Sequence, residues 1–209
     1  MQAIRRLQNA QQLRAILGQP SPQVQAKLSD RLNPLTRQFI ERSPFVCLAT
    51  SDSQGRCDVS PRGDGPGFVR ILDEQTLLIP ERPGNRLADS LLNILENPHV
   101  GLLFLVPGIE DTFRVNGKAF LTDEADWLAD SAVQGKAPRL AIVVSIEEAY
   151  TQCGKAFLRS QLWDPEQFQK RASLPSNGEI IRSLQGPDFD VLAYDEERSA
   201  RYARRENFY

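Results

Sequence analysis

The sequence predicts a mainly β, α+β fold in which six to seven antiparallel strands curl into a barrel carrying N-terminal and peripheral helices. Three observations predict it. Short apolar stretches with two-residue alternation recur between residues 45 and 146, the period of strands with one buried face. Tight polar or Pro/Gly turns join most of them, which suits antiparallel neighbours better than a βαβ sheet, and closing the sheet would remove its edges. Helical spacing is confined to the two ends and to short insertions.

Taken in order, Ile4, Leu7, Leu13 and Ile16 lie on one helical stripe that Gly18 and Pro20 end. Ser21-Pro22 is an N-cap with a first-turn proline, opening a second stripe through Val24, Leu28, Leu32, Leu35 and Phe39. Pro34 interrupts that stripe, and Asn33 is placed to cap its restart. From Phe45 the period changes. Phe45–Thr50 and Arg56–Pro61 flank a polar turn and read as a hairpin, and Phe68–Leu72 with Thr76–Pro80 read as a second pair. A helix is expected over Arg86–Asn97, with Leu87, Leu91 and Ile94 on one face and Pro98 after it. Strands resume at His99–Val106 and Thr112–Thr122 around Pro107-Gly108. After a short helix near Asp123–Val133, the alternation of Leu140, Ile142, Val144 and Ile146 marks a further strand with one buried face. Glu147–Ser160 looks helical, and Ser176-Asn177-Gly178-Glu179 is a capping box.

Composition narrows the function classes. The chain has 209 residues, 41% hydrophobic and 25% charged, as expected for one packed domain with helical additions. The longest apolar stretch, Val100–Val106, is far shorter than a bilayer span, so no membrane segment is expected and the protein is read as cytoplasmic. Three scattered cysteines (Cys47, Cys57, Cys153) and a single histidine, His99, supply neither a disulfide framework nor a metal cluster, so no metal site is assigned. Cys153 is read as a small buried apolar residue and His99 as structural. A net charge of −2 gives no general attraction to nucleic acid. The charge is uneven, because residues 1–43 carry seven Lys/Arg against two Asp/Glu, which reads as a solvated or packing face.

Chemistry concentrates in two stretches, Ser60–Gly67 and Pro80–Arg86. In the second, a strand ends, a glycine turn follows and a helix begins. Unpaired backbone N–H groups and the positive end of the helix dipole there favour an anion such as a phosphate monoester, with Arg82 and Arg86 beside it. The alternative is that Asn85 caps the helix while both arginines pair with Glu81 and Asp89, and these residues alone do not separate the two. Three glycines near Arg62 and Asp64 would let backbone approach a flat ligand.

The runs Phe45–Thr50, Val59–Asp64, Gly67–Val69, Leu77–Pro80, Arg82–Arg86, Asn97–Leu102 and Arg114–Ala119 together closely resemble the pyridoxamine 5′-phosphate oxidase-related flavoproteins, which have the FMN-binding split-barrel fold. Gln152–Ser160 with Trp163-Asp164-Pro165 resembles one subgroup. The resemblance implies a six- to seven-stranded antiparallel split β-barrel over 44–165, an N-terminal helical extension over 1–43 and a C-terminal helical tail over 166–209 packed on the barrel. It also implies a homodimer with FMN at the subunit interface. Carried over, Arg62, Gly63 and Asp64 lie beside the flavin, and Arg82, Asn85 and Arg86 surround its phosphate. Arg114, Asn116, Lys155 and Arg159 are further candidates that would reach the partner's cofactor. The expected activity is an FMN-dependent oxidoreductase of unknown substrate and small-molecule electron partner, with a non-catalytic flavin-binding or sensing module as the alternative. Members of the fold also bind F420 or haem. Vitamin B6 oxidation itself is not expected, because the chain ends Arg204–Tyr209 where those oxidases carry an Arg-Leu-any-Pro run.

Overall fold

Seven strands make one antiparallel sheet in the computed structural model, which describes residues 4–209; residues 1–3 of the expected N-terminal extension lie outside the described residues. They are β1 (Phe45–Ser51), β2 (Cys57–Gly63), β3 (Arg70–Ile71), β4 (Thr76–Pro80), β5 (His99–Leu105), β6 (Thr112–Thr122) and β7 (Ala141–Gln152). Their order is β2-β1-β5-β6-β7-β4-β3. The ladder does not close on itself. Proline lacks the N–H a second ladder would need, which suits Pro61 to an edge strand, and β3 is only two residues long. Nevertheless the ends of the sheet meet, because Arg62 of edge strand β2 bonds Glu81 just beyond β4. The result is a mainly β split barrel with helices around it, and the split is a seam between β2 and the end of β4.

The β1–β2 hairpin pairs Phe45 with Gly63 through to Ser51 with Cys57. Its turn is held by Asp52, whose carboxylate accepts from the N–H groups of Gln54 and Arg56 at 2.9 Å each. Strand β1, expected as a short apolar run, buries alternate residues, Val46, Leu48 and Thr50. Inside the barrel, Phe104 and Phe113 are almost fully buried, and Phe39 stacks on Phe113 at 5.7 Å. Each such side chain contributes on the order of 1.5–3 kcal/mol by leaving water.

Strand β7 differs from expectation in two ways. It runs on to Gln152 where a helix was read, because the first half of β6 needs a partner and Thr112 pairs with Gln152; pairing overrides local propensity. Its first four residues are buried on both faces, since Ala141 and Val143 pack with Leu78 and Leu128 in a second, outer cluster. A β-bulge at Asn116/Gly117 bends the β6–β7 pair. Only glycine fits at the bulge, because a Cβ on Gly117 would lie 2.0 Å from the Ser145 carbonyl oxygen.

The helices follow their caps more than their stripes. Helix α1 (Ala10–Leu17) starts at Asn9, whose side chain accepts from Gln12 N–H, so Ile4 and Leu7 precede it, and Gly18 ends it at φ 75°. Helix α2 (Pro22–Gln25) is a single turn capped by Ser21, and the stripe beyond it is not helical: Ser29 makes a bridge to Ala149, and Leu32 is buried as chain, not helix. Helix α3 (Pro34–Arg42) starts at Asn33 through a capping box with Thr36 and buries Ile40. Helix α4 (Asp89–Glu96) begins three residues later than the sequence suggests. Helix α5 is Ala125–Ala129 and α6 is Lys155–Ser160. Helix α7 (Asn177–Gln185) has the expected Ser176–Glu179 capping box, and α8 spans Val191–Ala203.

Candidate functional site

The seam opens into a cleft of about 1120 Å³. The end of β2, the segment after β4, the start of α4, loop 136–140 and the last residues of the chain all border it. Five cations line it, Arg62, Arg82, Arg86, Lys136 and Arg139, against the carboxylates of Asp58, Glu81 and Asp89.

The two inner arginines are held by carboxylates. Arg62 bonds Glu81, both side chains lying mostly out of water at 15% and 22% exposure, and the Glu81 N–H donates to the Leu140 carbonyl at 3.0 Å. The Arg62 Nε is buried without a partner among the described residues. Burial pushes the Glu81 carboxyl above its ordinary value, and Arg62 only partly opposes this. Arg82 Nε donates to Asp64 Oδ2 at 2.8 Å, and the other Asp64 oxygen accepts from the Tyr209 hydroxyl at 2.7 Å. Burial pushes Asp64 up, but the bonds from Tyr209, Gly65 N–H and Arg82 outweigh it and hold the carboxyl below its usual range. The same contact with Asp64 raises the Tyr209 phenol.

Between β4 and α4 the backbone is unusual. Arg86 and Ala88 both take positive φ, 63° and 60°, and Asn85 accepts from Leu87 N–H at 3.0 Å. Asn85 therefore caps a turn rather than the helix, and the N-cap position of α4, Ala88, supplies no side-chain cap. The alternative in which Asn85 caps the helix and both arginines pair with Glu81 and Asp89 is not met: Glu81 is taken by Arg62, and Arg82 goes to Asp64. Among the described residues, Arg86 and Arg139 make no ion pair. Ser90, in the first turn of α4, donates to Asp58 at 2.7 Å.

Of the ten residues singled out in the sequence, the cleft gathers Arg62, Gly63, Arg82, Asn85 and Arg86, with Asp64 joined through Arg82. Arg114 and Asn116 lie instead at a shallow groove of about 290 Å³ beside Cys47 and Gly101. There Arg114 donates to Gln152 at 3.3 Å and sits 5.3 Å from the Tyr150 ring, and Asn116 donates to Glu148 at 2.9 Å. Lys155 and Arg159, on α6, line neither. Cys153 is exposed, not buried. His99 is exposed at the start of β5, its ring against Asn97.

The sequence reading missed Lys136, Arg139 and Tyr209. The first two arrive because the Glu81–Leu140 backbone bond draws loop 136–140 to the seam, a pairing across about 60 residues with no local signal. Tyr209 reaches Asp64 across 145 positions.

Residues 32–153, more than half of the chain, match the family model described as pyridoxamine 5′-phosphate oxidase. Solved structures are similar over part of the chain. HupZ from Group A Streptococcus is 17% identical, covering 57% of this chain and 93% of its own, with a TM-score of 0.46. HutZ from Vibrio cholerae, described as a heme storage protein, is 18% identical over 58% of this chain and 94% of its own, at 0.39. An FMN-binding protein from Syntrophomonas wolfei is 12% identical over 57% and 89%, at 0.42. No curated protein matches the chain.

Proposed function

The chain belongs to the pyridoxamine 5′-phosphate oxidase family, and from that premise we propose that it is an FMN-binding flavoprotein that works as an oxidoreductase, with the barrel of residues 44–165 as the binding unit and 1–43 and 166–209 as appended helical segments. The observation that carries the reading is the uncapped start of α4 bordering the cleft beside Arg86, a cation with no carboxylate of its own. Free helix N–H groups and an uncompensated guanidinium are what a phosphate monoester requires. The cleft exceeds the usual 300–1,000 Å³ of small-ligand pockets, so there is room for a three-ring system beside the phosphate. The residues present therefore fit the group.

When bound, a flavin supplies the redox chemistry, and the protein supplies position and electrostatics. Arg86 and the α4 amides hold the phosphate, with Arg139 and Lys136 adding positive potential across the cleft. Arg62, which lines the cleft, would offer a guanidinium N–H to a carbonyl or ring nitrogen. Glu81 fixes Arg62 and withholds part of its charge. Arg114 and Asn116 lie away from this cleft, and their part in the proposal is at the face of a homodimer, against a second copy and its cofactor.

The test is the visible absorption spectrum of the purified protein, followed by release and identification of any chromophore. Flavin bands near those of free FMN support the reading. Protein that is colourless and does not quench added FMN fluorescence refutes it. A Soret band would place the chain instead with a haem function such as the one described for HutZ. Reduction of bound flavin by NADH or NADPH with repeated turnover supports the enzyme; a single reduction without turnover supports a sensing module.

A further inference from the structure

We propose that Tyr209 is a built-in competitor of the cleft's ligand, a side chain that occupies part of the site and has to swing out before an anionic aromatic molecule can seat fully. The inference rests on the reading of the seam as a ligand site.

Three contacts from three parts of the chain hold Tyr209 there. Its hydroxyl donates to Asp64 at 2.7 Å. The Arg82 guanidinium lies over its ring at 5.3 Å. Its backbone carbonyl accepts from Lys136 Nζ at 3.3 Å. Arg82 and Lys136 are cations of the cleft lining, so the tyrosine engages the same groups that an aromatic anion would use. The raised phenol keeps its proton at neutral pH and stays a donor to Asp64.

The occupant is also cheaply displaced. The segment that delivers it, Arg204–Tyr209, follows the end of α8; Arg205 and Glu206 N–H groups bond the Tyr202 and Arg201 carbonyls at 3.0 Å each, while beyond them Phe208 meets Tyr202 edge-on at 6.1 Å. Arg205 and Asn207 both take positive φ, 51° and 59°, a backbone that non-glycine residues leave readily. A side chain anchored by one charged hydrogen bond and one cation–π contact closes the site by a modest factor, and the apparent affinity of a ligand falls by the fraction of molecules in which the cleft is free.

Two measurements on the full-length chain decide the matter. Titration with FMN, followed by flavin fluorescence, should give tighter binding to Tyr209→Ala than to the unsubstituted protein by about tenfold. Tyr209→Phe, which keeps the ring and loses the bond to Asp64, should fall between them. Equal or weaker binding to Tyr209→Ala overturns the proposal while leaving the flavin reading intact. The second measurement needs no ligand: nitration by tetranitromethane, read by mass spectrometry, should be slower at Tyr209 than at the more exposed Tyr202, and Asp64→Asn should remove that protection. Tyr209 nitrated as fast as Tyr202 in the unsubstituted protein means that it is not seated, and overturns the proposal whatever FMN does. If FMN binds to none of these proteins, the flavin reading fails and the nitration result alone upholds or overturns the seating of Tyr209.

Discussion

Replacing Arg62 with methionine should destabilise the protein most at neutral pH and progressively less on acidification. Arg62 and Glu81 lie 15% and 22% exposed, and methionine retains much of the arginine's volume while removing its charge. What remains is a carboxylate in a poorly solvated seam. Breaking a buried pair by removing one partner costs about 3–5 kcal/mol, and the residual exposure of this one lowers that to about 2–3 kcal/mol. In a domain of this size each kcal/mol corresponds to roughly 2–4 °C in Tm, so a fall of about 4–12 °C is expected at pH 7. The sign with pH follows from Glu81. Its carboxyl is already raised above its ordinary value of 4.5 by burial, so protons bind the folded state more tightly than the unfolded one. The stabilisation from that proton is complete below 4.5 and is lost as pH rises through the folded value. Without Arg62 the folded value climbs further, so the variant recovers stability between pH 7 and 4.5. Melting curves of both proteins across that range measure it. A cost that stays constant over the range, or grows as pH falls, would refute the view that an uncompensated Glu81 is its source.

Arg86→Ala should weaken FMN binding roughly tenfold or more, since a hydrogen bond to a charged group is worth about 1.5–3 kcal/mol. Its Tm should not move, because Arg86 bonds no other side chain among the described residues; unchanged affinity in a fluorescence titration would misplace the phosphate. Gly117→Ala should cost about 2–4 kcal/mol, because its Cβ would lie 2.0 Å from the Ser145 carbonyl oxygen and the bulge has to open; an unshifted urea midpoint would contradict this. Asp64→Asn should flatten the acid limb of stability. Asp64 lies below its ordinary 3.8, so it contributes above that value and its contribution is lost as pH falls through the lower folded value. Denaturation at stepped pH from 5 downwards tests it, and an identical acid slope in the variant would show that Asp64 is not coupled to folding. Asn33→Ala should cost about 0.5–2 kcal/mol through loss of the α3 capping box, read from urea unfolding.

What the sequence made legible was local. Strand ends at Phe45, Thr76, Pro80, His99, Thr112 and Thr122 coincide with the periodicity, because turn residues and alternation are written in adjacent positions. Caps at Ser21, Asn33 and Ser176 were legible for the same reason. Where the reading departs, a distant partner decides. Glu147–Gln152 carries helix-compatible residues yet completes β6, and Leu28–Leu32 keeps a helical stripe yet bridges to β7. The site divides the same way. Arg62, Arg82 and Arg86 stood out in short motifs, whereas the carboxylate partners of the first two did not, because Asp64 and Glu81 exchange those arginines across a seam that exists only once the sheet has curled.

That exchange explains how a cleft lined by five cations can exist in an acidic protein without being a standing electrostatic liability. Pairing Arg62 with Glu81 and Arg82 with Asp64 fixes both guanidinium groups before any ligand arrives, so a ligand loses less entropy in ordering them. It also means that neither offers its full charge. An incoming phosphate has to be neutralised by the groups left unpaired, Arg86, Arg139 and Lys136, and these sit on loops outside the sheet rather than on strands. In the proposed site orientation and attraction would thereby be separated: the carboxylate-held arginines, Arg62 on β2 and Arg82 just past β4, would set the position of a flat ring, while the unpaired cations would supply the field that draws in its anionic end. Raising the salt concentration should therefore weaken attraction through the second set far more than it disturbs the first.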